Sequence, residues 1–473
     1  MKKKTSFFLL GIIIISLLIS VPFLNEESFW GDEYHSIFTA NKELSKLLDH
    51  LVNKDNHAPL YFIILHFWIK FFGITEVSTR MLSTIFGVFA IIMCYLLSRQ
   101  IFDKKTAKIS SIIFLTSGIF QTYMQEVRMY TLVTFLVLSQ IYFFSRYLRK
   151  NKKIDLFFYS IFTVLSLYTH PFASISFILI NIFAVAIHKK VTSQWLFAQM
   201  IILLLYSYWI KVILSQFIAH YDTIMMLIES RFGSIINFEI ILSLTSIFFI
   251  LFCHYLYRNS LIVIKKIKRI FYSLSPGLLL AAILVVETLQ IFFYNMFFSS
   301  SPFIRYFLFL LPLTIMVVSY KIATIKSKNM ALIILASILI FQIGTVAFNL
   351  SNTNRYDWKN AVKEVRPLIK EEDYAIGFDS GGTSFDLFNY YYKKTYNEDI
   401  KKNMFRVRED RGIISDIEEE YVSADEFYEI KKKTKIVVIT NRKEGESQIK
   451  KLLDEKSPFF AKKLKDIEIY AYN

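Results

Sequence analysis

The sequence predicts a polytopic α-helical membrane protein of about 11 transmembrane helices with a C-terminal soluble α/β domain. Three observations predict it. Of 473 residues, 54% are hydrophobic, at a mean hydropathy of +0.41, against about 45–50% apolar in soluble domains. Uncharged apolar stretches recur through residues 1–349, each near the ~20 residues a helix needs to cross ~30 Å of hydrocarbon. The net charge of +16 lies wholly in that part: residues 1–349 hold 31 Lys+Arg and 15 Asp+Glu, whereas 350–473 hold 24 of each. With only 13 Gly, 8 Pro and 2 Cys, a collagen-like repeat, a low-complexity linker and a disulfide scaffold are excluded.

In order, the spans are read at about 7–24, 81–98, 109–125, 130–145, 156–169, 172–187, 195–210, 235–257, 274–296, 303–320 and 329–348. If the Lys2-Lys3-Lys4 end is cytoplasmic, alternation puts five loops inside with it: Arg99 to Lys108, Arg146 to Asp155, Lys189-Lys190, Arg258 to Arg269 and Lys321 to Lys328. These carry 22 of the 31 basic residues and two acids, Asp103 and Asp155, leaving 9 basic and 13 acidic residues outside. That asymmetry is the positive-inside rule, so the excess charge reads as topology and not as a nucleic-acid surface. Pro59 to Phe72 is too short for a crossing, and counting it as one breaks the charge pattern; it reads as a helix on or dipping into the outer leaflet.

The first run resembles a secretory signal but has no small-x-small site before Asn25, and reads as an uncleaved helix. Cys94 and Cys253 fall inside spans, where a small apolar packing role is the default. The domain reading is therefore 1–349 for the membrane part, with a first outer loop at 25–80, and 350–473 for an extracytoplasmic α/β domain. In the latter, Trp358 to Ile369 and Phe385 to Lys393 have helical spacing. Tyr374 to Phe378 and Lys435 to Thr440 are strand-like, and Ile467 to Tyr472 alternates as an edge strand does. Gly377 to Gly382 follows a strand but matches neither a P-loop nor a dinucleotide fingerprint, so a tight turn is the ordinary reading.

Ionisable residues are scarce in the membrane part, and those on the outer side form four groups. Asp32 and Glu33, in Phe29-Trp30-Gly31-Asp32-Glu33-Tyr34-His35, pair two carboxylates with aromatics and suit a general base or a metal ligand; a solvated acidic loop is the alternative. In Lys54 to Tyr61, Pro59 and Asp55 suit a helix start and its cap, leaving His57 to bind a metal or an anion or to be an ordinary interfacial side chain. Glu126 and Arg128 stand two apart and cannot share a helical face; one is expected to face the Asp32 loop and the other an anion, unless they neutralise each other across the turn. Arg305 opens the tenth span, where forked phosphate binding competes with snorkelling. His170 adds a fifth outer position above Pro171, and Glu287 is an intramembrane acid whose partner the sequence does not name. Acids, histidines and arginines thus gather outside, which points to chemistry on a lipid-linked phosphate.

The succession of Trp30-Gly31-Asp32-Glu33, His57-Ala58-Pro59-Leu60-Tyr61, Phe72-Gly73, Glu76, Arg80, Ser83, Gln125-Glu126-x-Arg128-x-Tyr130, Thr169-His170 and Arg305-Tyr306 resembles the bacterial GT-C glycosyltransferases of the protein-mannosyltransferase type. That group takes in the RgtA/B/C/D-like and lipid A aminoarabinose transferases. The resemblance implies an inverting transfer from a polyprenyl-phosphate sugar to a glycan, lipid or protein acceptor on the outer face of the bacterial cytoplasmic membrane. It implies Asp32, with Glu33 beside it, as catalytic base, and Arg128 and Arg305 as donor phosphate ligands. Glu126, His57 and His170 become acceptor or metal-site candidates. Relatives differ in metal use, so a divalent metal is possible and no other cofactor is implied; Ala58-Pro59 stands where the family often has Pro-Pro. The alternatives are a lipid-linked glycan transporter or flippase, which places polar groups at the bilayer midplane in repeated halves, and an outer-face polysaccharide polymerase or ligase.

Overall fold

A computed structural model describes residues 2–184, 192–219, 304–351, 357–369, 374–378, 383–398, 400, 404–407, 421–422, 435–440, 458, 460–464 and 467–472. The spans expected at 235–257 and 274–296, with Cys253, Glu287 and the basic loop 258–269, lie outside the described residues, as do Lys189-Lys190 and the glycines of 381–382. The chain forms two compact units. One comprises Met1–Val21, Thr39–Gly73 and Ser78–Asn349; the other comprises Pro22–Phe38, Ile74–Val77 and Leu350–Asn473.

The first unit is helical. Among the described residues, six helices are long and apolar enough to cross a membrane: Thr5–Phe23, Glu76–Ile101, Tyr130–Lys150, Ser193–Ala219, Arg305–Thr324 and Lys328–Ala347. In chain order the helices, of which most of α2 and the first two residues of α5 belong to the second unit, are α1 (Lys2–Ser20), α2 (Gly31–Ala40), α3 (Leu44–Asn53), α4 (Leu60–Phe72), α5 (Glu76–Ile101), α6 (Lys104–Leu115), α7 (Gly118–Met124) and α8 (Tyr130–Lys150). Then follow α9 (Lys153–Leu167), α10 (Ala173–Phe183), α11 (Ser193–Ala219), a 3-10 turn at Ile304–Leu310, α12 (Leu311–Thr324) and α13 (Lys328–Ser351).

The 13 residues of α4 rise about 20 Å at 1.5 Å each, less than a bilayer core. The stretch 109–125, expected as one helix, is two: α6 ends at Leu115 and α7 begins at Gly118. A Cβ on Gly118, the first residue of α7, would meet Thr345 Oγ1 of α13 at 2.6 Å, so the close approach of α13 there favours a residue without a side chain. Asp103 starts α6 by accepting from the backbone N–H groups of Lys105 (2.7 Å) and Thr106 (2.9 Å), the N-cap its position suits.

The α8–α9 hairpin turns at Asn151, whose φ of 50° is left-handed and suits asparagine. It is closed by Arg146 Nε on the buried Asp155 carboxylate at 2.9 Å. Above that pair Trp195 of α11 stacks on Tyr159 (5.1 Å) and Tyr147 (6.0 Å), within the range of favourable aromatic pairs. Cys94 is fully buried in α5.

In the second unit, β1 (Tyr374–Phe378), β2 (Met404–Val407), β3 (Tyr421–Val422), β4 (Lys435–Thr440), β5 (Phe460–Leu464) and β6 (Ile467–Tyr472) form a sheet in the order β3-β2-β1-β4-β6-β5. β1 pairs in parallel with β2 and β4, whereas β6 is antiparallel to both β4 and β5. The alternation in β6 is real, with Ile467, Ile469 and Ala471 buried. Its expected edge position is not: β5, with lysines at 462 and 463, stands outside it, and charge suits a sheet edge. Helices α14 (Trp358–Val365) and α15 (Thr383–Tyr396) pack together, burying Trp358, Val362 and Val365 on one and Phe385, Phe388 and Tyr392 on the other.

Candidate active site

In the second unit the first outer loop turns into α2, and the two adjacent acids divide. Glu33 is fully buried, and its Oε2 accepts the N–H of Trp30 at 3.3 Å. A glutamate three residues into a helix bonding back to the cap residue is half of a capping box. Asp32, in the same first turn, is half-buried, and its backbone carbonyl takes the Ser36 hydroxyl at 2.9 Å.

In the first unit the turn before α4 and the turn before α8 converge. Asp55 does not cap α4, which starts behind Pro59 with no side-chain cap. Its Oδ1 accepts the backbone N–H of His57 at 3.1 Å and pairs with His57 Nδ1 at 2.5 Å. The other ring nitrogen, Nε2, lies 2.9 Å from Arg128 Nη2. A guanidinium only donates, so Nε2 accepts, Nδ1 carries the hydrogen, and it donates to Asp55. Gln216 holds the loop from below, its Nε2 on the Asp55 carbonyl at 2.7 Å and the Val52 carbonyl at 3.0 Å.

Arg128 is buried, and its own carbonyl takes the Ser83 hydroxyl at 3.2 Å. The arginine thus turns to His57; the backbone N–H of Arg128 bonds the Glu126 carbonyl at 2.8 Å, and the Glu126 side chain is buried. The Arg128 guanidinium also lies 5.8 Å from the Tyr130 ring centre, and Arg305 lies 5.3 Å from that of Tyr306, inside the cation–π range. The two rings stand 6.1 Å apart. His170 lies against both, 6.3 Å from Tyr130 and 5.6 Å from Tyr306. Its Nδ1 accepts the N–H of Phe172 at 3.2 Å. Burial first, then the nearby His57 ring and the Arg128 guanidinium, hold the His170 pKa down at about 3, so the ring is neutral.

Of the residues singled out in the sequence, His57, Arg128, His170 and Arg305 therefore stand in one connected group, in which Tyr130 and Tyr306, motif residues given no role in the sequence reading, are the joints. Tyr306 follows Arg305 directly and Tyr130 follows Arg128 by two, which was the available signal. Asp55 and His57 are the carboxylate–imidazole pair in this unit on which a divalent cation would draw; here they use those atoms on each other and on Arg128.

Residues 56–210 match the family of dolichyl-phosphate-mannose-protein mannosyltransferases. Among solved structures, the crystal structure of ArnT from Cupriavidus metallidurans in the apo state aligns at a TM-score of 0.60 and 9% identity, covering 99% of this chain and 98% of that one. This chain has the GT-C fold. The same transferase bound to undecaprenyl phosphate aligns at a TM-score of 0.59 and 9% identity, over 98% and 97% of the two chains. An Archaeoglobus fulgidus oligosaccharyltransferase in complex with Zn and sulfate aligns at 0.52 and 13% identity, over 92% of this chain and 67% of that one. By sequence, an uncharacterized protein of Aquifex aeolicus is 26% identical over 157 residues, which are 32% of this chain and 31% of that protein. Within the GT-C fold, the family match takes in His57, Glu126, Arg128 and His170, and leaves Asp32, Glu33 and Arg305 outside it.

Proposed function

We propose that this GT-C protein is a glycosyltransferase that moves a sugar from a polyprenyl phosphate to an acceptor at the outer face of the bacterial cytoplasmic membrane, with inversion. The observation that carries the reading is the gathering of Arg128 and Arg305 on the paired rings of Tyr130 and Tyr306, with His57 on the first guanidinium. Two permanently charged forks joined by aromatic faces suit a lipid-linked phosphate, since arginine pairs with phosphate in bidentate fashion and keeps its charge when desolvated. The undecaprenyl phosphate held by the aligned transferase supports a donor of that chemistry.

In the reaction proposed, the Asp32 carboxylate takes the proton from an acceptor hydroxyl or amine. The acceptor oxygen or nitrogen bonds to the anomeric carbon from the face opposite the phosphate. The carbon–oxygen bond to phosphate breaks, and its electron pair leaves on polyprenyl phosphate. Phosphate is already a good leaving group, so the arginines supply charge stabilisation in place of a general acid. Asp32 takes the base role in preference to Glu33, whose buried carboxylate already accepts the Trp30 N–H. Neutral His170 and Tyr306 line the same group without adding charge. The sugar, the acceptor and any metal that Asp55 and His57 would hold follow from the assay and enter no step of the reaction.

The test is incubation of the purified protein with a panel of polyprenyl-phosphate sugars and candidate acceptors, reading release of free polyprenyl phosphate and the anomeric configuration of the product. Release with one donor and inversion at the anomeric carbon are expected. No release with any donor would return the protein to the transporter reading, and retention of configuration would sink the single displacement.

A further inference from the structure

The segment 22–38 that carries Asp32 is anchored inside its own unit by one buried carboxylate. Glu76 is 2% exposed. Its Oε1 accepts the Tyr391 hydroxyl at 3.0 Å and lies 3.2 Å from Lys359 Nζ, and its Oε2 lies 2.8 Å from Lys394 Nζ. A buried carboxylate held by two ammonium groups and a hydroxyl is satisfied and fixed in place, where a lone one would not persist.

Two of the three groups on Glu76, Tyr391 and Lys359, reach back to the loop. The Tyr391 hydroxyl donates to Glu76 and accepts the backbone N–H of Phe29 at 2.7 Å. Burial and the Glu76 charge both raise the Tyr391 pKa, so the proton stays on the phenol and the direction of this relay is set. Lys359 gives its backbone N–H to the Ser28 hydroxyl at 3.2 Å and its Nζ to the Asn25 carbonyl at 2.9 Å. The Phe29 ring packs 6.0 Å from Tyr390 and 6.4 Å from Tyr391, and Tyr34 stands 6.1 Å from Tyr390. Backbone atoms at positions 25 and 29, the hydroxyl at 28 and the ring at 34 are thus tied to α14 and α15, on both sides of the α2 start.

We propose that Glu76 and Tyr391 are positioning residues for Asp32: through the Phe29 N–H they fix the start of α2 and with it the direction of the Asp32 carboxylate. Asp32 lies three residues past Phe29, in the first turn of α2, so its aim depends on how the Phe29–Trp30 backbone enters the helix. The C-terminal segment then serves as a brace for the base and not only as an accessory surface. The inference rests on the base role given to Asp32 above.

The experiment compares Tyr391→Phe with the unaltered full chain, each with and without Asp32→Asn, using the polyprenyl-phosphate sugar that the unaltered protein turns over, and measures binding of undecaprenyl phosphate alone. Tyr391→Phe should lower kcat roughly ten-fold or more, with the undecaprenyl phosphate Kd within about two-fold of the unaltered value. In the Asp32→Asn background it should leave the residual rate unchanged, the non-additivity expected of groups that act through one another. An unchanged kcat, an equal loss in both backgrounds, or a matching loss of undecaprenyl phosphate binding would overturn the proposal. Should Tyr391→Phe not fold, Glu76→Gln enters the same cycle with the same expectation. Full turnover in Asp32→Asn alone would instead sink the base assignment, so the two failures are told apart.

Discussion

Arg128 and His57, 71 positions apart in the chain, are joined by a 2.9 Å hydrogen bond from Nη2 to Nε2. The bond settles the imidazole tautomer and lets Asp55, on the far ring nitrogen, orient the arginine through the ring. Lysine carries the same charge but neither the fork nor the reach to His57. Arg128→Lys should therefore weaken undecaprenyl phosphate binding by about ten-fold, which is about 1.4 kcal/mol. An unchanged Kd would reduce the guanidinium to a brace for His57.

Asp32 and Glu33 should behave oppositely on substitution. Asp32→Asn should reduce transfer by about 10²- to 10⁴-fold, the usual contribution of a general base, with membrane insertion intact. Glu33→Ala should keep turnover within a few-fold and lower stability by about 1 kcal/mol, the scale of a lost helix cap. Near-normal turnover in Asp32→Asn removes it from the mechanism.

His170 gives the protein an acid-side weakness. Its pKa falls from 6.5 to about 3 in the folded chain, because burial, and after it the nearby His57 ring and the Arg128 guanidinium, disfavour the charged ring. Below pH 6.5 the unfolded chain binds a proton that the folded chain refuses. The stabilisation is therefore fully present above about pH 6.5 and is lost toward pH 3, by up to about 1.4 kcal/mol per unit. Thermal unfolding in detergent at pH 7 and pH 4.5 measures it, and His170→Gln should flatten the slope; a slope unchanged in that variant assigns the sensitivity elsewhere.

Gly87, the one glycine of α5, is tightly packed. A Cβ there would meet Met124 Cγ at 2.5 Å and its Sδ and Cε at 2.9 Å. Methionine is flexible and gives way in part, so Gly87→Val should destabilise by about 1–3 kcal/mol as an overpacked core. A companion Met124→Ala should restore part of it, and no loss in the single variant would mean that the Met124 turn yields freely.

The membrane helices and the strands at Tyr374–Phe378, Lys435–Thr440 and Ile467–Tyr472 were legible because hydrophobic length and alternation are local properties. β5 was not: Phe460 to Leu464 contains two lysines, and a strand with charge in its middle reads as a loop until it is seen at the sheet edge. The break after Leu115 was hidden as well, since 109–125 reads as one uncharged run, while the close neighbour of Gly118, Thr345, is 227 positions away.

For the site, residue type and spacing led to Arg128, Arg305, His57 and His170, because ionisable groups at a membrane face are expensive and so conspicuous. Their partners were not legible. Asp55 passed for a helix cap, and Tyr130 and Tyr306 stood in the motifs without a role. Glu33 looked equivalent to Asp32 until its carboxylate was found on the Trp30 N–H.

By itself, then, the sequence determined the class of the protein, a charge-asymmetric array of apolar helices followed by an α/β segment, since hydrophobicity and charge act through composition and need no partner. Only the tertiary structure decided which charged groups meet, because hydrogen bonds and cation–π contacts depend on angles and on a few ångströms. It took Arg128 to His57, Arg128 and Arg305 to a shared pair of rings, and Glu76 to a tyrosine 315 positions away that holds the Phe29 backbone.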